Sequence, residues 1–142
     1  MGYRGGRFSG VSFTAERQLD AWGPPFRRTS TTEAGWAEPS ATIIHGALAE
    51  VGRGADAVLW NSVPAHPYQP GRPLSNRLPT ASEVRAGLPY LDLLLDLQQP
   101  EHVIAVGRVA ERLLGDRATA AVRHPAQGGA TACRAGLRAL LG

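Results

Sequence analysis

Lysine is absent from these 142 residues; every one of the 15 basic side chains is an arginine. One account is compositional, an alanine- and arginine-rich chain from a G+C-rich genome. The other is a polyanionic partner, because guanidinium groups hold phosphate bidentately. A net charge of +3 is too small to choose between them. Cysteine is nearly absent as well. A single Cys133 excludes an internal disulfide and any cluster of cysteine ligands within the chain. No stretch approaches 18 consecutive apolar residues, and no basic-then-apolar segment reads as a secretion signal. A soluble, cytoplasmic monomer with no membrane partner is therefore expected. With 43% hydrophobic residues, the chain fits one modest globular domain over residues 1–142.

What is present alternates between helical and strand-like patterns. The start is rich in glycine and arginine (Gly2, Arg4, Gly5, Gly6, Arg7, Gly10), and a short helix is predicted over 14–22, stopped by Gly23-Pro24-Pro25. A polar loop over 27–40 and a helix over 42–51 follow. The run DAVLWNSV, residues 56–63, reads as a buried strand ending near Asn61. After a proline-rich loop, Thr80 and Glu83 form a capping box that opens a helix. Val84, Leu88, Leu91, Leu94 and Leu95 share one face of it, Pro89 is expected to kink it, and Pro100 closes it. Strands are predicted over 102–106 and 118–122, with helices over 107–114 and 131–141. Trp22 and Trp60 are expected in the core.

This alternation predicts an α/β fold, a short parallel sheet in a three-layer α/β/α arrangement. In open parallel sheets, ligands sit beyond the carboxyl ends of the strands. That rule gathers Asn61, the Gly107-Arg108 turn and Arg123-His124 at one edge. The last of these opens VRHPAQGG, residues 122–129, whose glycines let backbone approach a ligand closely.

Five segments, RFSGVSFT (7–14), VLWNSVPAHP (58–67), SNRLPTASEV (75–84), VIAVGRVAERLL (103–114) and VRHPAQGG (122–129), occur in an order that resembles the uracil-DNA glycosylase superfamily. The resemblance is to the bacterial branch related to the thermophilic iron–sulfur enzymes and covers nearly the whole chain. It implies a four-stranded parallel sheet between helices and a hydrolase of DNA base excision repair. Such an enzyme binds uracil-containing DNA, flips the nucleotide out and cleaves its N-glycosidic bond. It also implies that Phe13 stacks on the flipped uracil, Asn61 recognises the pyrimidine edge and His124 is the catalytic histidine of a His-Pro-Ser-like loop.

The chain departs from that pattern in three ways. It opens at Met1-Gly2, at the end of a Gly-Glu-Ala-Pro-Gly-like loop, so the first strand and the acidic residue that positions or activates the attacking water are expected to be missing. Ala126 stands where serine is usual. The cluster cysteines have no counterpart, so no iron–sulfur centre, metal or other cofactor is expected.

Each of these residues also has a plainer reading: Phe13 as core, Asn61 as a strand-end turn residue, His124 as a helix cap. An asparagine carboxamide can address uracil O4 and N3–H together, where cytosine presents the opposite pattern. A histidine at 124 would stabilise charge accumulating on the departing base. Arg123, Gln127 and Gly128 are candidate DNA-phosphate contacts at the start of the last helix, and Arg77 is left open. Two other functions remain compatible with the sequence: a module that holds uracil or single-stranded DNA without cleaving it, and a generic nucleotide-binding α/β domain.

Overall fold

The structure, a computed structural model, describes residues 6–142; Gly2, Arg4 and Gly5 of the glycine- and arginine-rich start lie outside them. In chain order the elements are α1 (Gly6–Ser9), α2 (Glu16–Trp22), α3 (Pro39–Glu50), α4 (Ala81–Gln98), β1 (Ile104–Val106), α5 (Arg108–Leu114), β2 (Ala120–Val122) and α6 (Ala130–Leu141), with a 3-10 turn, Gly115–Arg117, after α5. The fold is α/β, built around a short parallel sheet. β1 and β2 pair with Ile104 opposite Ala120 and Val106 opposite Val122, and the Gly107 N–H adds a 2.8 Å bond to the Val122 carbonyl. A parallel pair needs a crossover, and α5 supplies it.

The core lies where α6 covers β2 and α3 covers α6. Cys133 and Leu137, four residues apart on α6, meet Val122 of β2 and Ile44, Ala47 and Leu48 of α3. Those positions share the inner faces of their helices because 3.6-residue periodicity stacks them. Each large side chain buried here contributes about 2 kcal/mol of transfer free energy. At the rim, Arg134 and Arg138 both reach the Glu50 carboxylate, at 2.5 and 3.1 Å. Solvent screens such exposed pairs, so they add little.

α4 begins where the sequence predicts. The Thr80 hydroxyl accepts the Glu83 N–H at 3.3 Å, and the Glu83 carboxylate takes the Thr80 N–H at 2.7 Å. The helix then continues through Pro89 to Gln98 as a single element. Proline removes one rung of the ladder, and burial of Gly87 and Leu91 on the inner face holds the helix across that gap.

Two expectations are corrected. Residues 56–63 form no strand: 57–61 run without ladder bonds, and the sheet has two strands among the described residues. A strand exists only with a neighbour to bond. Here Ala57, Leu59 and Asn61 instead border an apolar-walled hollow of about 790 Å³, with Ile104 and Val106 of β1 also on its wall. Trp22 and Trp60 are not core residues, being 43% and 37% exposed; Trp22 packs edge-on against Phe26.

The loop after α2 is organised by a buried carboxylate. Glu16 is fully buried and accepts the N–H groups of Thr29 (3.0 Å), Ser30 (2.8 Å) and Trp36 (3.0 Å) and the Ser30 hydroxyl (2.5 Å). Burial alone would raise its pKa, but these donors outweigh burial and hold it below the ordinary carboxylate value of 4.5. A folded pKa below the unfolded one stabilises the fold above about pH 4.5, and that contribution is lost as pH falls through the folded value. Glu16→Ala is expected to cost about 3 kcal/mol, since it strands several buried donors. Urea titrations across a pH series test this: the gap between wild type and variant should be widest at pH 7 and shrink as pH falls below 4.5.

Candidate active site

Phe13, Asn61 and His124 come from three separate segments and line the same hollow. The Phe13 ring lies 6.0 Å from the His124 imidazole, tilted by 44°. Asn61 ends the unpaired segment and is partly buried, and its carboxamide has no hydrogen-bond partner among the described residues. Both its donor and its acceptor are therefore free to meet a ligand edge.

His124 follows β2 by two residues, at the carboxyl end of the sheet. Its position depends on two glycines. A Cβ on Gly107 would stand 2.8 Å from the His124 Cβ, and Gly107 has φ +89°; a Cβ on Gly129 would strike the His124 carbonyl oxygen at 2.0 Å. Only glycine at both places lets the loop pass between the end of β1 and the start of α6. The Ala126 N–H donates to Nδ1 of His124 at 3.1 Å. Nδ1 must then carry a lone pair, which leaves the proton on Nε2. Burial lowers the His124 pKa and the neighbouring Arg123 lowers it further, so the ring is neutral at pH 7 and presents Nε2–H as a donor.

The loop carrying Phe13 is held from both ends. The Ser9 hydroxyl accepts the Val11 N–H at 3.1 Å and donates to the Thr14 carbonyl at 2.5 Å. The Thr14 hydroxyl donates to the Ser12 carbonyl at 3.0 Å and contacts Nε2 of His45 at 3.2 Å. Phe13 itself has φ +47°, a left-handed conformation costly for a bulky side chain. Sequence reasoning overlooked Thr14 and His45, because their significance lies in a contact 31 residues apart.

Arg123, Gln127 and Gly128 are exposed, next to His124 and ahead of α6. Gln127 and Gly128 both have positive φ, +53° and +76°, which turns the chain sharply into the helix. No ion pair engages Arg123 among the described residues. Arg77 differs: it grips Glu83 through two bonds of 2.8 and 2.6 Å and donates to the Tyr68 carbonyl at 2.9 Å. That guanidinium, with the Thr80 N–H, draws the Glu83 pKa down to about 2. Arg77 thereby braces the start of α4. Among the described residues no group of three or more His, Cys, Asp or Glu side chains is disposed to hold a metal ion, and no helix is long and apolar enough to cross a membrane.

Gly107→Ala is expected to destabilise the fold by about 1–3 kcal/mol, through positive φ and contact with His124. Chemical denaturation measures the cost, and the His124 imidazole NMR signals should shift with it.

Comparison with curated proteins gives no match, and comparison with solved structures gives none. The profile of the Uracil DNA glycosylase superfamily, by contrast, matches residues 3–139, nearly the full length. With its α/β fold and short parallel sheet, the chain belongs to the uracil-DNA glycosylase superfamily.

Proposed function

We propose that this protein excises uracil from DNA, hydrolysing the N-glycosidic bond of a nucleotide flipped out of the stack. The observation that carries the reading is the His124 geometry: a neutral imidazole with Nδ1 engaged by the Ala126 N–H and Nε2–H left as donor, beside Phe13 and on the same hollow as Asn61. Unstacking and unpairing a base costs a few kcal/mol. A ring stacked on the base offsets about 1–3 kcal/mol of that, and Phe13 supplies the ring. The Asn61 carboxamide addresses O4 and N3–H of uracil. Cytosine, presenting the reverse pattern, would leave it unpaired, a penalty that favours uracil.

In the reaction the bond from C1′ to N1 breaks with its electron pair moving to the base, a water oxygen bonds to C1′, and the proton that water loses ends on the departing uracil anion. Negative charge gathers on the uracil carbonyls, and Nε2–H of His124 donates to O2 as it does so. A donor fixed before the charge develops is worth more than water, because nothing must reorganise. Arg123, Gln127 and Gly128 take the flanking phosphates, and the amides opening α6 favour the same negative charge. The reading calls on no metal or cofactor.

The test is incubation with a labelled oligonucleotide containing one uracil, followed by alkali. Strand breaks at uracil support the proposal; retention of the oligonucleotide without breaks makes the protein a uracil or single-stranded-DNA binder. His124→Ala is expected to slow excision roughly 10²–10³-fold, as loss of a donor to a developing anion does. Asn61→Ala should also slow it, with binding to undamaged DNA little changed in both. Equal excision by wild type and both variants rejects the assignment.

The rate should also depend on pH through His124. Its folded pKa lies below the usual 6.5, so the neutral donor persists at pH 6.5 and is lost as pH falls through the lower folded value. Protonation would place a second hydrogen against the Ala126 N–H. A pH–rate profile flat near neutrality, with an acid limb inflecting below 6.5 that vanishes in His124→Ala, is the expected result.

A further inference from the structure

We propose that His45 is a positioning residue for Phe13, holding the loop 12–14 so that the Phe13 ring faces His124. This deepens the reading above and rests on it. His45 lies on α3, next to Ile44 of the core, and its side chain leaves the helix toward the loop. Because the Thr14 hydroxyl directs its proton to the Ser12 carbonyl, the imidazole is the donor in the 3.2 Å contact at Nε2. Trp22 covers the ring edge-on at 5.9 Å. His45 therefore fastens the residue that directly follows Phe13, which itself sits at φ +47°.

A bulky residue keeps such a backbone only where its surroundings over-determine it. With Thr14 fully buried and bonded to His45, relaxation of Phe13 to negative φ would break those contacts. The scaffold closes on itself. α3 carries His45 and packs on α6, while the loop ahead of α6 carries His124. Both partners of the Phe13–His124 contact are thus referenced to the same pair of helices, and His45 transmits that reference to the aromatic ring.

The experiment compares wild type, His45→Ala, His45→Gln, Phe13→Ala and the double variant His45→Ala/Phe13→Ala in single-turnover excision. His45→Ala is expected to lose about as much rate as Phe13→Ala, roughly 10-fold for a lost stack. The double variant should lose no more than either, and His45→Gln, which keeps an amide donor, should recover most of the rate. Thr14→Val, which removes the acceptor and preserves the shape, reproduces the loss and serves if His45→Ala does not fold. A crystal structure of either variant provides a readout independent of activity: Phe13 should relax to negative φ with its ring off His124. Multiplicative losses in the double variant, or a Phe13 that keeps positive φ and its contact, overturn the proposal. If Phe13→Ala excises normally, the stacking reading fails instead, and the crystal structure alone decides the role of His45.

Discussion

The packing of α3 against α6 over β2 is the constraint to which every other part of the site refers. Cys133 and Leu137 on one helix and Ile44, Ala47 and Leu48 on the other enclose Val122, and the strand that ends in Val122 delivers His124 two residues later. A methylene lost from this contact would leave a gap that packed neighbours close only in part. It would also tilt α3 relative to α6 and so move His45 relative to His124. Stability and site geometry are therefore not separable at these positions, and Ile44, Leu48 and Leu137 themselves also line the hollow.

Electrostatics plays two distinct parts. Glu16 and Glu83 are ionised carboxylates surrounded by donors, and each fixes a loop: Glu16 gathers Thr29, Ser30 and Trp36, and Glu83 closes the start of α4 with Arg77 and Thr80. The histidines do the opposite. Burial keeps His45 and His124 below their usual pKa, so both work as neutral donors whose direction is set by a neighbour. Charge is used where a loop must be closed, and a directed N–H where a ring must be placed.

Much of this was legible in the sequence where the signal is local. The capping box of Thr80 and Glu83 lies within four residues and β1 falls inside the β-branched run 103–106, so both could be read directly, while β2 was marked by a short small-apolar run, 118–122. Residues 56–63 carry the same apolar signature as those strands, yet pairing depends on a neighbour that composition does not supply. Trp22 and Trp60 misled for a related reason, since a large ring suggests burial but the chain around it decides. The rule that ligands sit beyond strand ends already drew Asn61 and His124 to one edge, whereas Phe13 joined them only through the order of five motifs. His45 left no trace, because a lone histidine on a helix gives no hint of a loop 31 residues earlier.

The hollow has a thermodynamic consequence of its own. Its walls are largely aliphatic, from Leu48 and Leu59 through Leu94, Ile104 and Leu113, and water against such walls is ordered at the expense of entropy. Whatever enters and displaces that water does so with a negative change in heat capacity. The contribution of these walls to binding therefore weakens on cooling, whereas the hydrogen bonds offered by Asn61 and His124 do not share that dependence, so the balance between grip and recognition at this site shifts with temperature.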